Sequence, residues 1–366
     1  MTYFASCFLV GLFATLFIMR SSLRHSHMSA DHDLSGPQKF HARVVPRIGG
    51  VGVMLAIVCG VVIAQVNDAP VARALWLLVA CSLPAFVAGI MEDLTKNVSP
   101  RRRLLATAIS ASLAVWLLDA VLVRTDIPVV DPLIRWAPLA VLLTVFIVTG
   151  IANAINIIDG FNGLASMCVL MMMLALGYVA FQVGDNLIFT ASLITAGAVL
   201  GFFVWNFPAG LIFLGDGGAY LLGFLLAELS VLLLHRNAAV SPICPLLLCA
   251  YPIFETIFTI YRRKVVRGVA TGLPDGIHLH TLIHRRLIRW TLSDNLERRR
   301  LTRRNSMTSP YLWLLCLSSV IPSLLWWNST VVLSCFLLGF VVLYVWLYAR
   351  IVRFKTPKWL IFRRHE

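Results

Sequence analysis

Apolar residues occur along this chain in long runs that short polar segments separate. A helix needs about 20 apolar residues to cross the hydrocarbon core of a bilayer. We count eleven runs close to that length, near residues 3–19, 47–66, 72–90, 104–123, 137–152, 164–182, 187–205, 209–234, 242–261, 309–327 and 330–349. The pattern predicts an all-α polytopic integral membrane protein with about eleven transmembrane helices, forming one domain over residues 1–366.

Composition supports the membrane interpretation. Hydrophobic residues make up 59% of the chain and charged residues 13%, which excludes an ordinary soluble globular domain. The eight cysteines all lie within apolar runs and none forms a C-x-x-C pair. We interpret them as small buried apolar residues, because metal sites and disulfide frameworks show other spacings.

The positive charges predict the orientation of the helices. Segments 20–47, 92–103, 262–304 and 350–366 carry 27 of the 31 Lys and Arg residues, and they alternate with loops that hold the other four. By the positive-inside rule these segments face the cytoplasm, with the N-terminus outside and the C-terminus inside. Their basic surface also suits anionic membrane lipids. Nucleic acid is not an expected partner, because the charges border membrane spans.

A polar interruption between two apolar runs is the first candidate site. Residues 153–164 read Asn-Ala-Ile-Asn-Ile-Ile-Asp-Gly-Phe-Asn-Gly-Leu. Asn153, Asn156 and Asp159 are spaced three apart, so a continuing helix places them on one face. Polar groups here need partners, because unpaired burial is costly. We interpret the segment as a cation or phosphate site where a membrane helix breaks; a polar loop between spans is the alternative.

Acidic residues mark the ends of two further spans. Glu92 and Asp93 are adjacent at the end of the third span, and Ser99-Pro100 then predicts a capped helix start. Asp216 lies between glycines in an apolar run, which suits a hard cation that binds oxygen ligands. The alternatives are an ion-paired helix end and a turn aspartate.

Histidines stand in the longest basic loop, residues 262–308. His278, His280 and His284 form an H-x-H-x-x-x-H pattern that resembles a zinc site, but Arg285 and Arg286 follow directly. Imidazole and guanidinium groups together fit an anionic pyrophosphate better. Two acids within spans, Glu228 and Glu255, are expected to be hydrogen-bond partners between helices, and the last two spans to be scaffold.

The predicted topology brings these polar groups to one face of the membrane. Carboxylates and asparagines suit a metal, basic residues suit phosphate, and apolar grooves suit lipid. Together they favour phosphoryl transfer onto a lipid acceptor.

The motifs at 153–164, at 206–216 (Asn-x-x-Pro-Ala…Gly-Asp) and at 278–281 resemble those of the polyprenyl-phosphate N-acetylhexosamine-1-phosphate transferases, in the undecaprenyl-phosphate GlcNAc-1-phosphate branch of glycosyltransferase family 4. The resemblance covers residues 36–290. It implies transfer of a sugar-1-phosphate from a UDP-N-acetylhexosamine to undecaprenyl phosphate, with release of UMP. It places the enzyme in the bacterial inner membrane with its site facing the cytoplasm, at the first membrane step of O-antigen or a similar surface glycan. A homodimer is compatible with the family.

The resemblance also implies residue roles. Asp216 and Asn156 are expected to hold Mg²⁺, which Mn²⁺ could replace. Asp93 is expected to deprotonate or position the lipid phosphate, with Glu92 and Asp159 as further acids of the catalytic group. The expected substrate-binding residues are Asn153, Gly160, Asn162, Phe213 (stacked on uracil), Asn206, Arg103, His278, His280 and Lys39.

Three positions depart from the family pattern. Glu92 replaces an aspartate, Asn162 replaces a common aspartate, and Thr281 replaces the second of two adjacent histidines. The expected sugar is therefore open between GlcNAc and a modified 6-deoxy amino sugar. Two other kinds of protein compete with this interpretation: a secondary transporter with a broken-helix ion site, and a structural scaffold of a glycan assembly.

Overall fold

The computed structural model describes residues 1–24, 45–266, 268, 277–288 and 297–353, without the side chains of 22–24, 287–288 and 297–304. Within these residues the regular secondary structure is helical, as expected. The α-helices are α1 Thr2–Arg24, α2 Gly49–Val66, α3 Ala72–Thr95, α4 Pro100–Leu118, α5 Asp131–Ile134, α6 Ala137–Ile158, α7 Leu164–Gln182, α8 Asn186–Asn206, α9 Gly215–Arg236, α10 Ile243–Leu248, α11 Ala250–Tyr261, α12 Leu279–Ile283, α13 Glu297–Leu325 and α14 Thr330–Val352. Two π-helical turns, Arg262–Val266 and His284–Ile288, follow α11 and α12.

Nine helices in the described part of the chain are long and apolar enough to cross a membrane. Two expected spans are not among them. Helix α4 begins Pro-Arg-Arg-Arg, which lowers its hydropathy, and the run at 242–261 is divided into α10 and α11 at Cys249. The chain is therefore a polytopic helical protein, and both the count of eleven and the orientation stay predictions.

Helix α9 is the centre of the bundle. Its most apolar stretch is entirely buried, and it contacts α2, α3, α4, α6, α7 and α8. The helix begins at Gly215, six residues later than the expected start at 209. The reason is that the preceding residues pair with another segment: Phe213 donates to the Pro46 carbonyl (2.9 Å), and its own carbonyl accepts from Gly49 (2.9 Å).

Glycines allow the backbones of three helices to touch near this start. A Cβ atom on Gly89 of α3 would lie 2.5 Å from Cα of Gly217, and one on Gly50 of α2 would lie 2.5 Å from Cα of Gly218. Real Cβ atoms do not approach backbone that closely, so a side chain at either position would push α9 away. The Gly-Gly at the start of α2 therefore serves close packing against α9.

The start of α4 is built as its sequence predicts. Ser99 is the N-cap, its hydroxyl accepts from the Arg102 amide at 3.4 Å, and Pro100 occupies the first helical position. This cap fixes the first turn of α4, which carries Arg103 towards α9.

We expect Gly89→Ala to destabilise the protein by about 1–3 kcal/mol, the usual cost of overpacking a core. Gly150→Ala in α6 is a matched control, because nothing lies within 4 Å of the added Cβ. Thermal unfolding in detergent measures both variants. Equal midpoints for Gly89→Ala and Gly150→Ala would contradict the close packing of α3 on α9.

Candidate functional site

Asp93 holds the first turn of α9. One of its carboxylate oxygens accepts from the backbone amide of Asp216 and the other from that of Gly217, both at 2.9 Å. Amides in the first turn of a helix lack partners within the helix, and Asp93 is buried. The aspartate at the end of α3 thus satisfies two amides that would otherwise be buried unpaired.

The Asp216 carboxylate is the meeting point of three helices. It accepts a hydrogen bond from the Asn156 amide of α6 at 2.9 Å and pairs with the Arg103 guanidinium of α4. Helix N-termini favour negative charge, so Asp216 is also well placed on α9 electrostatically. Asp93, Asn156 and Asp216, which are spread over more than 120 positions of the sequence, therefore lie together.

Tyr220 lies one turn further along α9 and joins the same group. Its hydroxyl donates to the Asn153 side chain at 3.2 Å, and the Arg103 guanidinium carbon lies 5.7 Å from the centre of its ring. Asn153 and Asn156 therefore both face α9 from one side of α6, as their spacing predicts.

Asp159 follows the last residue of α6, outside the membrane-spanning helices, and begins the loop of residues 159–163, which we call the Gly-rich loop. Burial raises the pKa of its carboxyl group to about 7, although the positive charge of Arg47 acts in the opposite direction. The loop continues through Gly163, which adopts a left-handed φ of 72° as it enters α7.

Two asparagines that are expected to contact substrate form hydrogen bonds within the protein. Asn162 is buried; its backbone amide donates to the side chain of Asn305 (2.8 Å), and its side-chain amide donates to Ser306 (3.2 Å). Asn206 is also buried; it accepts from the Gly163 amide (2.7 Å) and donates to the Ile212 carbonyl (2.8 Å). These bonds hold the loop in place, and the substrate-binding roles of Asn162 and Asn206 stay predictions.

His280 of the histidine motif lies against that loop. A Cβ atom on Gly160 would lie 3.3 Å from Nε2 of His280. The rings of Phe161 and His280 meet edge to face, with their centres 5.4 Å apart. Burial, followed by the charge of His278, lowers the pKa of His280 to about 3, so that this ring is neutral at pH 7. The histidine segment therefore adjoins the loop that leaves α6.

The remaining expected residues differ in placement. Glu92 accepts from the Val98 amide at 2.7 Å, so its carboxylate is tied to the loop after α3. Phe213 is half-buried and pairs through its backbone as described above. Lys39 lies outside the described residues. The functional roles of Glu92, Phe213 and Lys39 stay predictions.

Several site residues were not expected from the sequence. Tyr220 stood inside an apolar run, where an aromatic residue predicts only packing. Arg47 stands two residues before α2, and its positive charge acts on Asp93 and Asp159. Polar residues of α13, in a span interpreted as scaffold, hold the Gly-rich loop: Asn305, Ser306, Ser309 and Trp313.

Comparison with known proteins now adds to this geometry. The model of glycosyl transferase family 4 matches residues 75–234, a stretch that includes Asp93, Arg103, Asn156 and Asp216. Over this stretch the chain is similar to glycosyl transferase family 4.

Similar proteins align over most of the chain. A probable undecaprenyl-phosphate N-acetylglucosaminyl 1-phosphate transferase of Bacillus subtilis is 29% identical over 296 residues, covering 79% of this chain and 78% of the relative. An undecaprenyl-phosphate alpha-N-acetylglucosaminyl 1-phosphate transferase of Thermotoga maritima is 28% identical, covering 70% and 74%. A phospho-N-acetylmuramoyl-pentapeptide-transferase of Lactobacillus johnsonii is 29% identical, covering 64% and 75%.

The site around Asp216 has oxygen donors suited to Mg²⁺. Asp216 and Asn156 supply a carboxylate and an amide oxygen, and Mg²⁺ normally takes one or two protein carboxylates together with waters and substrate phosphates. Among the described residues no group of three His, Cys, Asp or Glu side chains is arranged to enclose a metal. By ligand type Asp216 and Asn156 would suit Mg²⁺, which would take the place of Arg103 or of the Asn156 amide group as a partner of the Asp216 carboxylate.

We expect Asp159 to make stability pH-dependent. The pKa rises from 3.8 to about 7 in the folded protein, so between these values the folded state binds more protons and loses stability as the pH rises. Thermal midpoints of the wild type should fall more steeply than those of Asp159→Asn between about pH 4.5 and pH 7.5. Asp119→Asn, which alters an exposed aspartate at the far end of α4, is the control. Identical slopes in the wild type and Asp159→Asn would contradict the buried carboxyl.

Proposed function

We propose that this protein transfers an N-acetylhexosamine-1-phosphate from a UDP-sugar to undecaprenyl phosphate and releases UMP. The observation that carries the proposal is the convergence of Asp93, Arg103 and Asn156 on the first turn of α9, in a chain similar to glycosyl transferase family 4. This similarity supports sugar-phosphate transfer, and the relatives' names support an undecaprenyl-phosphate acceptor.

Phosphoryl transfer depends mainly on positioning the reactants and neutralising their charge. The dipole at the start of α9 favours negative charge, and Arg103 and Arg47 add positive charge there. An oxygen of the lipid phosphate forms the new bond to the β-phosphorus of the UDP-sugar. The bond from that phosphorus to the bridging oxygen breaks, and UMP leaves with that oxygen and its electron pair.

The acidic residues have different roles in the proposed reaction. Asp93 positions α9, since both of its oxygens already accept backbone hydrogen bonds. Asp159, whose pKa is about 7, takes up the proton that remains on the lipid phosphate and later releases it. Asp216 and Asn156 would hold Mg²⁺. That ion would neutralise charge on the diphosphate.

The donor that we propose is UDP-GlcNAc or a related amino sugar, because two of the relatives are named for N-acetylglucosaminyl transfer. We place the reaction at the cytoplasmic face of a bacterial inner membrane, because the positive-inside pattern puts the start of α4, and hence the site, on that side. The product would begin O-antigen or another surface glycan. A transporter is disfavoured, because transporters set ion sites near the bilayer midplane, whereas these groups lie at helix ends.

Asp216→Ala should lower the transfer rate at least about a hundred-fold, because electrostatic groups at a reacting phosphate contribute effects of that size. Purified protein is incubated with radiolabelled UDP-GlcNAc, undecaprenyl phosphate and Mg²⁺, and label extracted into organic solvent is counted. Parallel reactions with other UDP-N-acetylhexosamines determine the sugar.

Asp119→Ala is the control for Asp216→Ala, since it removes an exposed aspartate at the opposite end of α4. It should transfer at the wild-type rate. Failure of the wild type to label lipid from any UDP-N-acetylhexosamine would refute the proposed function, and full activity of Asp216→Ala would refute the site.

A further inference from the structure

We propose that Glu255, an acid within α11, is a positioning residue that orients His278 for its contact with the diphosphate donor. The inference rests on the proposed function and deepens it, because neither the motif nor the family match assigns a role to Glu255. The family 4 match ends at residue 234, before α11 begins.

Glu255 holds both the ring and the backbone at the histidine motif. Its Oε1 accepts from Nδ1 of His278 at 3.0 Å and from the backbone amide of Leu279 at 3.1 Å. The second bond satisfies an amide in the first turn of α12, for which His278 is the N-cap residue. One carboxylate oxygen thus fixes where α12 begins and how the His278 ring is turned.

The other oxygen is fixed by the last helix. Oε2 of Glu255 accepts from the Tyr344 hydroxyl of α14 at 2.7 Å, and the Thr259 hydroxyl lies 3.2 Å from Nδ1 of His278. Glu255 and Tyr344 are buried. Because both carboxylate oxygens are engaged, Glu255 acts through His278 rather than by touching substrate.

The orientation of His278 also affects His280, the histidine that lies against the Gly-rich loop. A carboxylate that accepts from Nδ1 keeps the proton on that nitrogen, which sets the tautomer and directs the Nε2 edge of the ring away from Glu255. His278 stacks on His280 with ring centres 5.0 Å apart, and His280 lies against Gly160. Glu255 therefore determines the orientation of both imidazoles beside the loop that follows Asn156 and Asp159.

Glu228 shows that an acid inside this bundle need not have such contacts. It is fully buried in α9, and neither of its carboxylate oxygens has a hydrogen-bond partner among the described residues. The same substitution, Glu to Gln, can therefore be made at two buried positions, of which only one contacts the histidine motif. Glu228→Gln is the matched control for Glu255→Gln.

Glu255→Gln should lower kcat/KM for the UDP-sugar about ten- to hundred-fold, by analogy with the loss that follows when a carboxylate partner of a metal-binding histidine is removed. The loss should lie in the KM for the UDP-sugar, with the KM for undecaprenyl phosphate changed less than about two-fold. Tyr344→Phe, which removes one bond to Glu255, should show a smaller loss of the same kind. Glu228→Gln should keep wild-type kinetics.

A double variant separates positioning from simple stabilisation. If Glu255 acts through His278, then Glu255→Gln combined with His278→Asn should transfer no more slowly than His278→Asn alone, because coupled residues are not additive. Independent, additive losses would overturn the inference, as would equal kinetics for Glu255→Gln and Glu228→Gln. If Glu255→Gln does not fold, Tyr344→Phe takes its place. Its KM for the UDP-sugar should rise, and its KM for undecaprenyl phosphate should change less than about two-fold.

A measurement without substrate distinguishes this inference from the proposed function. Histidine ¹⁵N chemical shifts report which ring nitrogen carries the proton, and the signal missing in His278→Asn identifies His278. The wild type should show the proton on Nδ1, and Glu255→Gln should show a changed tautomer ratio. An unchanged ratio would overturn the inference, whereas a wild type that transfers no sugar phosphate would overturn the proposed function alone.

Discussion

The hold of the Asp93 carboxylate on the start of α9 is the interaction on which the site depends. Helix α9 begins in the middle of a packed bundle, where its first amides have neither a preceding turn nor water to bond. Asp93 satisfies the amides of Asp216 and Gly217 together. The glycines of α2 and α3 allow the approach that makes these bonds possible. Arg103 and Asn156 then find the Asp216 carboxylate in a fixed place.

A second set of contacts supports this centre from the C-terminal part of the chain. In α13, Asn305 and Ser309 form hydrogen bonds with Asn162 of the Gly-rich loop. In α14, the Tyr344 hydroxyl donates to Glu255 of α11, which contacts the histidine motif. The last two spans, expected to be scaffold, therefore hold the two segments that the centre itself does not fix. The arrangement explains how a loop and a short helix between membrane spans can keep a defined geometry.

Sequence reasoning predicted the helical class and the meeting of distant polar residues, because intramembrane polar groups are costly unless they find one another. It could not show that Asn162 and Asn206, which are expected to bind substrate, also form hydrogen bonds that hold the loop between α6 and α7. Tyr220 and Tyr344 gave no signal, since a hydroxyl in an apolar run is recognised only by its partner. The late start of α9 was missed because backbone pairing of Phe213 with Pro46 depends on residues far apart in sequence.

Hydrogen exchange at the start of α9 tests the central claim most directly. Deuterium uptake by the peptide that contains Asp216 and Gly217 is compared between the wild type and Asp93→Ala, with the peptide that begins α7 as the internal reference. The account predicts faster uptake at the start of α9 in Asp93→Ala and unchanged uptake at the start of α7. Equal protection of Asp216 and Gly217 in both proteins would show that Asp93 does not hold this helix.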